Sequence, residues 1–346
     1  MQTTDSNERL ELKAGIVSQP EDVSGAAPTS FHSILFEFPG ARNLGDKIEP
    51  PDFFRDLNLD QIVDALTAGR EEYNLKPFFH TRLTNLAAIA YRQEIMRDLE
   101  GGPLFASIKS FGSRMREMRN HLAAAQNWQY KYAKARWLLD AAETYCEAVM
   151  ALRHDLARGA PHSRGLRTFA NYLAQYVESD SFTLLLQSAK AVKSGLSAIR
   201  YGVLINGGSV TVLPYDSEID YTVAVEKTFE KFKQGDAKNY LVKTKKISGM
   251  NHVEAAILDR VALLNPDAFR ALDTFCAQYE NFSDQTIATF DREIQFYIAY
   301  LEYTEKFKCR GLKFCYPKIS DTRKEISSRE NFDLALAEKL LKSGGD

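Results

Sequence analysis

The stretch that decides the architecture runs Tyr201-Gly-Val-Leu-Ile205, Asn206-Gly207-Gly208, Ser209-Val-Thr-Val-Leu213. Two runs rich in β-branched residues flank a tight polar step. Asn-Gly between such runs predicts a β-hairpin with positive φ at both turn positions. Pro214 ends the second run, because proline cannot donate to a ladder. The stretch also has the glycine spacing of a phosphate loop, G-x-x-x-x-G-K-[ST]. However, Gly208 stands where the lysine that clamps phosphates is required. It also reads strand–turn–strand, not loop–helix, so the plain hairpin is the better reading.

On both sides of the hairpin the signals are helical. Upstream, Asn58 followed by Gln61 has the spacing of a capping box before Ile62, Val63 and Leu66. Apolar residues then recur at helical spacing from Phe79 to Leu99 (Leu83, Leu86, Ala90), and Gly101-Gly-Pro103 stops that helix. Phe105 to Arg158 lacks proline and contains only Gly112, which predicts one very long helix or two stacked ones. Helices follow over 166–177 and 182–199. Downstream, Thr222–Lys233 reads as an amphipathic helix with Val225, Phe229 and Phe232 on one face, and Tyr240–Thr244 as a short strand. Val253, Ile257, Val261 and Leu264 form a further stripe. Asn265-Pro266-Asp267 reads as a cap with proline in the first helical turn. Ser283 or Asp284 caps a long helix to Phe307, with Ile287, Phe290, Ile294, Tyr297 and Leu301 buried. A last helix covers Phe332–Leu341.

The expected fold is therefore mainly α, an elongated helical bundle with a small hairpin-bearing unit inserted mid-chain. The 346 residues suggest about two domains. With 45% hydrophobic and 26% charged residues, the composition is that of a globular chain. Residues 1–30 are polar and aperiodic and read as a disordered leader without the apolar core of a secretory signal. No apolar run reaches the ~18 residues of a membrane span. Cys146, Cys276, Cys309 and Cys315 form no C-x-x-C pair, which fits a reducing cytoplasm and argues against a zinc cluster.

Catalytic patterns are absent from the sequence. Asp216, Glu218 and Asp220 alternate like calcium ligands, but Tyr221 and Lys227 occupy the places of the required glycine and closing glutamate. His252 and Glu254 are two apart on a helix and suit capping or packing. Asp291 and Glu293, also two apart, read as ion-pairing or solvated groups. No metal or cofactor is expected in this chain, and no enzymatic role of its own.

Net charge is −2, but the charge is unevenly spread. Phe105–Trp137 carries Lys109, Arg114, Arg116, Arg119, Lys131, Lys134 and Arg136 against Glu117 alone. Val223–Lys246 carries Lys227, Lys231, Lys233, Lys238, Lys243, Lys245 and Lys246 against three acids. A basic tip suits a polyanion through counterion release, whereas the bland reading of either run is a solvated charged face. With Arg200 and Asn206, the second run supplies the candidate DNA-phosphate contacts.

Several phrases resemble the MutS-like branch of the DNA mismatch-repair ATPases. They are Tyr91-Arg-Gln-Glu-Ile-Met-Arg-Asp-Leu99, Thr228-Phe-Glu-Lys-Phe232, Met250-Asn-His-Val-Glu254, Phe290-Asp-Arg-Glu-Ile-Gln-Phe296 and Phe332-Asp-Leu-Ala-Leu-Ala337. The resemblance runs from about Phe31 to Leu341. It implies a helical core and lever (31–195 and 247–316), a clamp that touches double-stranded DNA nonspecifically (196–246), and the beginning of an ATPase domain (317–346). ATP, magnesium and most of the dimer contact would belong to that ATPase domain, whose Walker A loop would lie beyond Asp346. The family's Phe-x-Glu mismatch wedge has no counterpart before Phe31. The alternative expectation is a helical protein-binding scaffold, its 21 Phe and 16 Tyr supplying anchors.

Overall fold

The computed structural model describes residues 31–38, 48–100, 102–216, 227–228 and 250–343. Among these the chain forms twelve α-helices and one two-stranded antiparallel sheet. The helices are α1 (Phe53–Asp56), α2 (Leu59–Thr67), α3 (Lys76–His80), α4 (Leu86–Leu99), α5 (Pro103–Asn127), α6 (Lys131–Gly159), α7 (Arg164–Glu178) and α8 (Asp180–Ser197). Strands β1 (Tyr201–Asn206) and β2 (Ser209–Pro214) follow, and then α9 (His252–Leu264), α10 (Pro266–Gln278), α11 (Gln285–Lys308) and α12 (Leu334–Lys342). The helix expected over Thr222–Lys233 and the strand over Tyr240–Thr244 lie outside the described residues, apart from the helical pair Lys227–Thr228.

The proline-free run from Phe105 resolves into two helices, α5 and α6, which pack along each other and turn at Trp128-Gln-Tyr130. At 1.5 Å per residue α6 is about 44 Å long. Small residues on its inner face (Ala133, Ala135, Ala141, Ala142, Ala148) are buried, as are Tyr145, Val149 and Leu152. Helix α11 supplies the rest of the core. All five residues of its expected stripe are buried, and Phe290 stacks on Phe169 of α7 with rings parallel and centroids 3.6 Å apart. Asp284 caps α11 by accepting from the Ile287 amide (2.9 Å) and also accepts from Tyr172 Oη (2.8 Å). Helix α5 crosses α11 at Gly112, where a Cβ would lie 2.8 Å from Gln295 Nε2.

The segment Phe31–Glu37 is threaded into this core without regular secondary structure, so its backbone polar groups need side-chain partners. Glu293 Oε2 accepts from Ser33 Oγ (2.7 Å) and from the Ile34 amide (2.9 Å). Tyr91 Oη donates to Ser33 O (2.7 Å), Tyr297 Oη to Ile34 O (2.8 Å), and Arg92 Nε to Leu35 O (3.1 Å). Arg164 clamps Glu94 through two nitrogens at 3.1 Å and also pairs with the buried Glu37.

Several local expectations are corrected. Asn58 does not cap α2: it adopts the left-handed region (φ 52°), and its side-chain oxygen accepts from Gln61 Nε2 rather than from the backbone. The region from Phe79 is broken at Thr81–Asn85, and Asn85 starts α4 by capping Ala87 N (2.7 Å). The buried face of α4 is Tyr91, Ile95 and Leu99, while Leu86 and Ala90 are exposed. Of the α9 stripe only Val261 is buried, and Val253 and Leu264 are exposed. The hairpin exists, but Asn206 pairs with Ser209, so the turn is Gly207-Gly208. Only Gly207 has positive φ (+59°), the sign pattern of a turn with glycine at its first central position.

Asp291 and Glu293 are not solvated; both are buried. Asp291 pairs with Arg119, which also donates to Tyr73 Oη. Burial pushes the Asp291 carboxyl up to about 6 despite Arg119, which pulls it down. The folded chain therefore holds this proton more tightly than the unfolded one. The resulting stabilisation is complete below the ordinary value of 3.8 and is lost as pH rises through about 6. Asp291→Asn should remove that fall from the pH profile of the melting temperature. A profile identical to that of the unmodified chain would refute the assignment.

Candidate nucleic-acid interface

The hairpin is inserted between α8 and α9, and α9 packs on β2. Its anchor is a small cluster in which Val212, like Leu196, Ile199 and Tyr132, packs against the buried Val261, Ala262 and Phe269. Beyond that anchor no hairpin residue is buried. Tyr201, Val203 and Ile205 share one face with Val210 and Val212, and Leu204 shares the other with Leu213. Both faces thus carry apolar side chains, and Ile205, next to the turn, is 70% exposed. A free two-stranded ribbon is marginal in water, so the helical base is what holds it.

Three of the nine residues expected to contact phosphate fall on described residues. Arg200 stands immediately before β1, Asn206 at the end of β1, and Lys227 after β2; all three are exposed. Neither Arg200 nor Lys227 forms an ion pair with a described residue. Lys231, Lys233, Lys238, Lys243, Lys245 and Lys246 lie outside the described residues.

The other basic run is largely consumed inside the fold. Lys109 pairs with Glu302, Arg114 with Glu147, Arg116 with Glu72, Arg119 with Asp291, and Arg136 with Asp140. Lys131 lies 4.1 Å from the Tyr132 ring centroid. The sequence hides this because all of these acids but Asp140 come from other elements. Four of the seven cations of this run are tied to acids of other elements, and Arg136 to an acid of its own helix.

The remaining motifs resolve into structure. Gly202–Ser209 is strand–turn–strand. Glu254 closes a capping box on α9: Asn251 Oδ1 accepts from the Val253 and Glu254 amides (2.9 Å each), and Glu254 Oε2 accepts from Asn251 N (3.0 Å). Asp216 is exposed, while Glu218 and Asp220 lie outside the described residues. Among the described residues no three His, Cys, Asp or Glu side chains converge as metal ligands. No helix among them is long and apolar enough to cross a membrane.

Sequence reading missed one feature beside the hairpin. A groove of about 560 Å³ is lined by Trp128, Tyr132 and Trp137, with Tyr201, Met250 and Leu258 opposite. It gathers both tryptophans of the chain. The available signal was Trp-x-x-x-Tyr-x-x-x-x-Trp, which straddles the α5–α6 turn. Its spacing means one face only if the turn is placed correctly.

Comparison with family models finds no match, and neither the curated proteins nor the solved structures contain a matching chain.

Proposed function

We propose that this chain is a noncatalytic DNA-contacting module on the plan of the MutS-like mismatch-repair ATPases. In this reading the helices form core and lever, the hairpin region is the clamp, and movement is relayed towards a C-terminal ATPase domain that holds ATP and magnesium. The observation that carries it is the hairpin itself. It is placed between two helical segments, exposed over most of its length, packed among the described residues at its base, and accompanied by Arg200, Asn206 and Lys227. Two-stranded ribbons fit nucleic-acid grooves, and flanking cations that meet phosphates position such a ribbon without reading bases.

The test is duplex-DNA anisotropy at stepped salt. Log affinity should fall linearly with log salt. Joint Arg200→Glu and Lys227→Glu should weaken binding equally for different sequences and make the salt slope shallower by about one for each phosphate left without its cation. Salt-insensitive binding, or none at low salt, rejects the reading.

Gly207→Val places a β-branched residue at φ +59°, where nothing lies within 4 Å of the new Cβ. The strain, roughly 1–2 kcal/mol, should stay in the turn. DNA binding should drop while the melting temperature barely moves. A global loss of stability would make the hairpin part of the core and end the clamp reading.

The tryptophan groove and the exposed Leu204 and Ile205 favour a second reading, a helical scaffold that binds protein without touching DNA. A partner retained equally well after nuclease treatment, together with no mass change on adding duplex in light scattering, would select it.

A further inference from the structure

A half-open cleft of about 290 Å³ lies far from the hairpin in sequence. Helix α4, the C-terminal half of α11 and the strand-like stretch Phe314–Pro317 form its walls. Most of the lining is apolar, with Met96, Phe296, Leu301 and Phe314 prominent. Polar groups come from Arg92, Gln93, Glu100, Thr304, Lys308 and the hydroxyls of Tyr300 and Tyr316. Arg92 forms part of the inner wall, its guanidinium held between the Phe36 and Phe296 rings at 5.0 and 5.3 Å.

The charge of Arg92 is the unusual element. Its Nε donates to Leu35 O, but Nη2 is buried and has no hydrogen-bond partner. No carboxylate oxygen among the described residues lies within ion-pair distance of it; the charge of the buried Glu293, which accepts from Ser33 and Ile34, acts on it from farther off. Burial pulls the guanidinium below its ordinary range. The second cation of the cleft, Lys308, is already neutralised by Glu100, which also accepts from Tyr316 Oη (2.7 Å). A guanidinium with a donor left without an acceptor therefore backs an apolar, aromatic-walled cleft. A buried donor left in this way is costly, and the oxygen of a bound anion would relieve the cost.

We propose that this cleft binds a small monocarboxylate with an apolar or aromatic body, its carboxylate meeting the Arg92 guanidinium. The body lies against Met96, Phe296 and Phe314. A dianion is disfavoured because Glu100 already occupies Lys308. Neutral isosteres offer a guanidinium a weaker acceptor than a carboxylate does.

Calorimetric titration of the whole chain with phenylacetate, and in parallel with phenylacetamide, tests this. Phenylacetate should bind saturably at a single site, with a dissociation constant on the order of 1 mM or tighter for so small a ligand. The amide should bind at least about tenfold more weakly. Arg92→Gln should abolish acid binding. Because Arg92 also holds Leu35, that variant must first show a cooperative melt. Cys315→Trp fills the mouth of the cleft from an exposed position and leaves Arg92 in place, so it should block binding in a folded chain. No saturable binding of phenylacetate, equal affinity for acid and amide, or undiminished binding in Cys315→Trp would each overturn the proposal, whatever Arg92→Gln does.

Discussion

Ile294→Asp is expected to lower the melting temperature of the entire chain sharply. Ile294 is fully buried on α11, within the cluster that joins Phe31–Phe36 to α4, α5, α6, α7 and α8. A carboxylate there would lose its hydration and displace an aliphatic side chain from close packing. Either effect alone is substantial, and together they cost about 3 kcal/mol or more. For a chain of this size that corresponds to a fall of about 4 °C or more. Thermal melting by circular dichroism checks it. A drop no larger than that of Gly207→Val would mean that α11 is not the central strut of the core.

Glu293→Ala should have the next largest effect, by a different route. The glutamate occupies no apolar stripe, yet it is buried and accepts from Ser33 Oγ and the Ile34 amide. Removing it leaves a buried hydroxyl and a buried amide without an acceptor, and takes negative charge from beside the buried Arg92. The cost of stripping one partner from such a buried network is about 3 kcal/mol. The loss should appear first as fast hydrogen exchange at the Ile34 amide, followed by a lower melting temperature. Glu293→Gln keeps one acceptor oxygen and should recover part of the loss. Slow exchange at Ile34 in Glu293→Ala would refute the tie.

These two neighbouring positions show what the sequence makes legible. Ile294 belongs to a stripe of five apolar residues at helical spacing, and periodicity alone places it in the core. The hairpin, the α11 cap at Asp284 and the proline start of α10 were legible for the same reason: each is written in local chemistry. Glu293 was not. Its partners lie about 260 positions away, and no local pattern distinguishes a buried carboxylate from a solvated one. The ion pairs of the basic run over Phe105–Trp137 were hidden in the same way, because Glu72, Glu147, Asp291 and Glu302 reach it only through the fold. Arg92 and the tryptophan groove also needed the packing to be known. Of the proposed DNA contacts, the fold adds exposure for Arg200, Asn206 and Lys227, and their chemistry remains that read from residue type.

The threading of Phe31–Glu37 into the core also orders events during synthesis. This segment leaves the ribosome some 260 residues ahead of Glu293 and Tyr297, the side chains that take up Ser33 and Ile34. At a translation rate of about 20 residues per second the wait is at least ~13 s, far longer than local helices take to form. Throughout it Phe31, Ile34, Leu35 and Phe36 lack the α11 side of their seat, although α4 and α7 are made earlier. The nascent chain thus carries an aromatic, aliphatic hook that the helices made before α11 cover only in part. A chaperone that captures short apolar peptides would find its target there, and its release would be timed by the emergence of α11.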